Sequence, residues 1–272
     1  EVGVQVILVV EDGIRFYSSI LPNLYKFVLK QSQEFSTEAL NAHQRTLRMR
    51  GRPKIVLART YEEAIGIYEK YKNNILGVIT DVRFPKVERG EKDGLAGIKL
   101  CAAIRKNDPF VPLIIQSSES ENSSYAAKYG ASFIDKNSKK MDVDLRRIVS
   151  DNFGFGDFVF RDSNGVECGR AASLSQLEKI IYDIPDAVLM SNTSRNMFSK
   201  WLYARGLFNL AETFRAEHHT NPGEFREFLL DNIQRYHRSI GQGIITEFHK
   251  DSYQDYYWFS RVVEGSLGGK AR

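Results

Sequence analysis

The sequence predicts an α/β fold: a five-stranded parallel, doubly wound sheet, joined to a second, smaller and mostly α domain that carries a hairpin. Three observations predict it. Short β-branched apolar runs alternate with stretches of helical period through residues 1–152. Ionisable or hydroxyl residues stand just past several of those apolar runs. After residue 152 the texture changes to successive helical segments and one tight-turn signal.

The first strand is the run 4–10, which ends at Glu11 and Asp12 and has the continuous apolar character of a strand covered on both faces. A helix follows over 14–31, with Phe16, Ile20, Leu24, Phe27 and Val28 at helical spacing. Ser36 then opens a second helical piece with Glu38 in its first turn and basic residues in its last, closed by Gly51-Arg52-Pro53. Strand two covers 54–58, and a helix covers 61–71 with Ala64, Ile65 and Tyr68 on one side. Strand three, 75–80, ends at Asp81. A turn-rich stretch from Pro85 to Gly94 leads to a helix over 95–105, and strand four, 111–115, is followed by Gln116-Ser117-Ser118. A helix at 124–129, strand five at 131–134 ending in Asp135-Lys136, and a helix at 143–152 complete the unit.

Residues 153–158 (Phe-Gly-Phe-Gly-Asp-Phe) read as a junction, so the domains are 1–152 and 153–272. Runs at 158–160 and 166–168 flank Asn164-Gly165, the signature of a tight hairpin. Ser173 with Gln176 forms a capping box ahead of Leu177, Ile180 and Ile181. Helical patterns recur at 196–205, 207–217 and 222–239, separated by Gly206 and Asn221-Pro222.

Composition narrows the function classes. Hydrophobic residues at 42% and charged residues at 26% are globular values over 272 residues, enough to bury a core without covalent staples. Two cysteines, Cys101 and Cys168, match no metal-ligand spacing and fit a reducing compartment. No apolar run reaches the roughly 20 residues a membrane helix needs. A soluble, cytoplasmic protein with no membrane partner is expected. The net charge of +4 is mild. The cluster Arg45, Arg48, Arg50, Arg52 and Lys54 comes with no nucleic-acid-reading motif and suits the C-terminal end of a helix, where cations complement the macrodipole.

In an open α/β sheet, ligands bind at the carboxyl ends of the strands. Four strands deliver Glu11/Asp12, Asp81, Ser117 and Lys136 to that edge. Acids with only hard oxygen suit magnesium, which keeps several waters beside one or two carboxylates. Asp12 and Asp81 are the direct ligands in this reading, with Glu11 acting through water. Lys136 and Ser117 add a cation and a hydroxyl donor, and together the set suits a phosphoryl group held by its charge.

Val9-Val10-Glu11-Asp12, Asp81 after Gly77-Val78-Ile79-Thr80, Pro112-Leu113-Ile114-Ile115-Gln116-Ser117, and Gly130-Ala131-Ser132-Phe133-Ile134-Asp135-Lys136 occur in the order and spacing of a known family. Residues 1–150 resemble the receiver domain of two-component response regulators, a flavodoxin-like fold. The resemblance implies that Asp81 is a phosphoacceptor taking its phosphoryl group from a histidine kinase or another phosphodonor. It implies that magnesium is held by Glu11, Asp12, Asp81 and the backbone carbonyl of Arg83. Lys136 would pair with the phosphate, Ser117 would turn toward it, and Phe133 would follow as the switch aromatic. Three features depart from the family pattern: the stretched segment between Pro85 and Asp93-Gly94, Asn137 in place of a proline after the lysine, and the inserted 36–50 helix. Gln116 also puts an amide at a normally apolar strand position. A non-phosphorylated pseudo-receiver serving as an interaction scaffold is the alternative.

Elsewhere the signals are poorer. His218 and His219 face different sides of a helix and do not make a joint metal site; His43, His237 and His249 lack partners at ligand spacing. Trp201, Tyr203, Phe208 and Phe214 read as core. The segment Val263-Glu264-Gly265-Ser266-Leu267-Gly268-Gly269-Lys270-Ala271 resembles the opening of the nucleotide-binding domain of phosphoenolpyruvate synthases and pyruvate phosphate dikinases. That resemblance implies an ATP contact for Lys270 in a longer parent and a downstream enzymatic domain in the same chain. The chain starts without methionine and stops in a glycine-rich stretch, and is expected to be a fragment.

Overall fold

The structure is a computed structural model that describes residues 4–37, 42–193, 197–216 and 219–246. Five strands form one parallel sheet: β1 (Val6–Val10), β2 (Lys54–Ala58), β3 (Ile75–Asp81), β6 (Leu113–Ser117) and β7 (Ser132–Asp135). Their spatial order is β2-β1-β3-β6-β7. Counted along the sheet this is 2-1-3-4-5, the flavodoxin-like order, in which the winding reverses between β1 and β3. Two-residue strands β4 (Phe84–Pro85) and β5 (Lys92–Asp93) form a small antiparallel ladder after β3.

Strand residues alternate between two cores. Val6, Leu8 and Val10 of β1 face the side covered by α3 (Tyr61–Tyr71), α4 (Ala96–Asn107) and α5 (Ser123–Lys128). Ile7 and Val9 face α1 (Ile14–Thr37) and α6 (Met141–Asn152). Both faces are buried, which is why the strand carries no polar alternation. The predicted stripe of α1 is in place: Ile20, Leu24 and Val28 are buried, and Phe16 and Phe27 pack against them. Thr60 caps α3, its hydroxyl accepting the Glu63 amide at 3.2 Å.

Several boundaries correct the sequence reading. Ser36 does not open a separate helix, because α1 continues to Thr37, carrying the buried Ser32 and the core-facing Phe35 with it. Ser32 returns its hydroxyl to the Val28 carbonyl at 2.8 Å, so it does not interrupt the helix. The inserted helix is α2 (Ala42–Arg50); Glu38 lies outside the described residues. Within the basic cluster, Arg48 is buried and donates to the Phe35 carbonyl at 2.5 Å. The fourth sheet strand runs two residues later than read, because Pro112 has no N–H for the ladder and pairing extends instead through Gln116 and Ser117.

The second region packs the hairpin β8 (Phe158–Arg161) and β9 (Glu167–Ala171) against α7 (Leu174–Asp183), α8 (Asp186–Thr193), α9 (Met197–Ala204), α10 (Phe208–Ala216) and α11 (Pro222–Thr246). Gly165 takes the positive φ of 80° that the turn requires. Ser173 caps α7 as expected, its Oγ accepting the Gln176 amide at 3.3 Å, while the Gln176 side chain reaches back one residue further, to the Ala172 amide at 2.8 Å. Trp201, Tyr203 and Phe214 are buried and Phe208 packs against them, so these aromatics are core. Phe153 and Phe155 at the junction insert into the α1/α6 face of the sheet, joined there by Ala204 of α9. Gly77 makes room for this: a Cβ on β3 would stand 2.2 Å from the Phe153 ring. No helix among the described residues is long and apolar enough to cross a membrane.

Candidate functional site

The carboxyl edge of the sheet gathers the predicted residues because the strands end level with one another. Val10 pairs with Thr80, Asp81 with Gln116, and Ser117 with Asp135. The next residues of β1 and β7 are therefore Glu11 and Lys136, on the same edge as Asp81. The Lys136 amide donates to the Ser117 carbonyl at 2.9 Å and fixes where the lysine leaves the strand. Helix α4 starts so close beneath Asp81 that a Cβ on Gly97 would lie 1.9 Å from the Asp81 carbonyl oxygen.

Glu11, Asp12 and Asp81 each offer a carboxylate oxygen within 4.8 Å of the others. Lys136 enters between two of them, its Nζ 2.6 Å from Glu11 Oε2 and 2.9 Å from Asp81 Oδ1. The lysine and Glu11 side chains are 3% and 2% exposed, against 14% for Asp81, so the pair is buried while the aspartate reaches solvent. Phe16 of α1 lies under the ammonium, its ring centre 4.3 Å away. Burial raises the pKa of Glu11 above its ordinary range and Asp81 adds to the rise, with Lys136 and the Gly13 amide opposing.

Asp81 Oδ1 also accepts the Val82 amide at 2.7 Å. Among the described residues Asp81 Oδ2 accepts no hydrogen bond. Ser117 Oγ accepts from the Asn122 side chain at 2.9 Å and the Glu119 amide at 3.0 Å. Both bonds use its lone pairs, so its proton remains to be donated. Phe133 in β7 is half-buried against the α3–α5 core, in register with Ile115. Arg83 lies two residues beyond Asp81 and its side chain pairs with Glu119 at 3.5 Å. Gln116 is buried beside Asp81 in the ladder, and its Nε2 has no hydrogen-bond partner among the described residues.

The donor set fits a hard divalent cation. Asp12 Oδ1 is buried and has no hydrogen-bond partner among the described residues, an orphaned acceptor that a cation would satisfy. Sequence reasoning missed Lys92. Its Nζ reaches from β5 to 2.7 Å from Asp12 Oδ2, a contact made possible by the stretched segment after β3 and marked by no local signal. Lys270, His218 and His249 lie outside the described residues. His219 packs its ring on Phe225 and Phe228, and His237 faces Glu178 at 3.4 Å, so neither joins the acidic cluster.

No protein-family model matches the chain, and no curated protein does. Among solved structures, a response regulator receiver domain protein from Clostridium thermocellum is similar at 20% identity over 55% of this chain and 94% of its own, with a TM-score of 0.39. The non-phosphorylated HemR receiver domain from Leptospira biflexa is similar at 21% identity over 54% of this chain and 94% of its own, TM-score 0.36. The response regulator TrrA from Thermotoga maritima, in complex with Mg(2+)-BeF, is similar at 19% identity over 53% of this chain and 98% of its own, TM-score 0.35. The fold assignment rests on this chain's own strand order.

Proposed function

We propose that residues 1–152 are a phosphoacceptor receiver unit of a phosphorelay, in which magnesium-dependent phosphorylation of Asp81 regulates an attached output. The observation that carries this reading is the buried Lys136 ammonium held against Glu11 and Asp81, beside an Asp81 oxygen that accepts no hydrogen bond among the described residues. A structural ion pair would not need a third carboxylate, Asp12, with an orphaned buried oxygen.

In this reading Asp81 Oδ2 attacks the phosphorus of a phosphodonor such as a kinase phosphohistidine. The new O–P bond forms as the P–N bond breaks, and the electron pair leaves on the histidine nitrogen. Glu11, Asp12, Asp81 and the Arg83 carbonyl would hold magnesium, which supplies neutralising charge to the phosphoryl oxygens when bound. Lys136 moves its charge from the carboxylates to the acyl phosphate. Ser117 turns and donates its free proton, and Phe133 follows inward to change the α4 surface. That is a population shift driven by charge-assisted hydrogen bonds.

The second region, residues 153–272, acts in this proposal as a connector. A phosphoenolpyruvate synthase-like output, with Lys270 at its ATP site, is supported by the tail segment alone. Two unpaired thiols, Cys101 and Cys168, are consistent with a cytoplasmic setting. The test is the response to magnesium with beryllofluoride, a mimic of an acyl phosphate, followed by amide NMR. Shifts at Asp81, Ser117, Phe133 and Lys136 support the receiver. A spectrum that ignores both reagents supports the interaction scaffold.

A further inference from the structure

Lys92 deepens this reading of the site. The segment between Pro85 and Asp93 is longer than a simple turn needs, and it folds back as the β4–β5 ladder, with Pro85 opposite Lys92 and Phe84 opposite Asp93. The segment is anchored at the far side by the Glu62 amide, which donates to the Lys86 carbonyl at 3.1 Å. This fold-back carries the Lys92 ammonium to Asp12 Oδ2 at 2.7 Å, while the other oxygen of the same carboxylate is buried with no hydrogen-bond partner among the described residues. The cluster thus holds three carboxylates and two lysines: Lys136, almost wholly buried, and Lys92, whose side chain is 54% exposed. An exposed ammonium on a long stem leaves cheaply; a buried one does not.

We propose that Lys92 is a resident counter-ion that a divalent metal displaces from Asp12, so that metal occupancy is relayed to the segment preceding α4. The relay has a physical path. Asp93, next to Lys92, accepts the Leu95 amide at 2.9 Å and pairs with Lys99 at 2.5 Å, tying the ladder to the first turn of α4. Release of Lys92 frees the β5 side of the ladder to move, and α4 begins at its end. Lys92 in this account is a positioning residue, since it touches a metal ligand and not the reacting atoms.

The proposal rests on the metal reading, and the experiment separates the two. Magnesium is titrated into the full chain and into Lys92→Met, with affinity read by calorimetry and sites read by amide and lysine Nζ NMR. Loss of a competing cation should tighten magnesium binding about fivefold in Lys92→Met. In the wild type, saturation should move the Lys92 Nζ resonance and the amides of Lys92, Asp93 and Leu95. Lys92→Arg, which keeps the charge, should bind as the wild type does. Equal affinities for wild type and Lys92→Met, with an unmoved Lys92 resonance and shifts still centred on Glu11, Asp12 and Asp81, would overturn the Lys92 proposal and leave the metal site standing. Absence of shifts at those three acids in both proteins would overturn both.

Discussion

The Lys136 ammonium stands 2.9 Å from Asp81 Oδ1, reached from β7 across the intervening strand β6. The same nitrogen is 2.6 Å from Glu11 Oε2. Lys136→Met would leave two neighbouring carboxylates without their cation. Breaking a buried pair in this way costs about 3 kcal/mol. Urea denaturation without metal should show that loss. Magnesium should then stabilise the variant more than it stabilises the wild type. Equal stability of the two proteins in metal-free buffer would mean that Lys136 is not holding the acids together.

Gly77 and Phe153 couple the junction to the sheet. Gly77→Ala puts a methyl group where the Phe153 ring lies, 2.2 Å from its nearest atom. Overpacking of this kind costs about 1–3 kcal/mol. The same substitution combined with Phe153→Leu should recover part of the loss, because the smaller side chain vacates the space. A Gly77→Ala protein as stable as the wild type would show that Phe153 does not sit against β3.

The two thiols should differ in reactivity. Cys101 is buried in α4, and burial pushes its pKa up to about 12, while Cys168 is exposed on β9. A thiolate-directed reagent at neutral pH should label one thiol in the folded protein and two after denaturation. Rapid labelling of Cys101 in the native state would contradict the packing of α4 on the sheet.

Lys200 gives a pH signature. It lines a cavity of about 850 Å³ between the two regions, together with Arg105 and Trp201. Burial lowers its pKa from 10.5, Asp108 opposes the fall and Arg105 adds to it. The folded state therefore disfavours the charged amine, and the penalty is fully present below the lowered pKa. It fades as pH rises from that value towards 10.5, where the unfolded chain also loses its proton. Lys200→Met should accordingly be more stable than the wild type at pH near 7, with the gap closing at alkaline pH. Chemical denaturation at the two ends of that range checks it. A gap that does not change with pH would assign the effect to packing rather than charge.

The sheet and most of the site were legible because each depends on local pattern. Continuous β-branched runs marked strands buried on both faces, and the acids and lysine at their ends marked the functional edge. Helix α8 was missed because Val188, Leu189 and Met190 are consecutive and make no helical stripe. The β4–β5 ladder was missed because each strand has only two residues, one of them Pro85. The pairing of Lys92 with Asp12 has no sequence signal at all, since it depends on where a folded-back segment ends in space. The apolar run puts Ser117 past its strand, yet it is the last strand residue, held there by pairing with Asp135.

A receiver site at this sheet edge requires Asp81 to accept a phosphoryl group. Intact-mass measurement after incubation with acetyl phosphate and magnesium tests it most directly, with Asp81→Asn and a metal-free sample beside the wild type. One added phosphoryl group is expected on the wild-type chain, lost at alkaline pH as an acyl phosphate is, and none on Asp81→Asn or without the metal. An unmodified wild-type chain, or an equal adduct on Asp81→Asn, would contradict it.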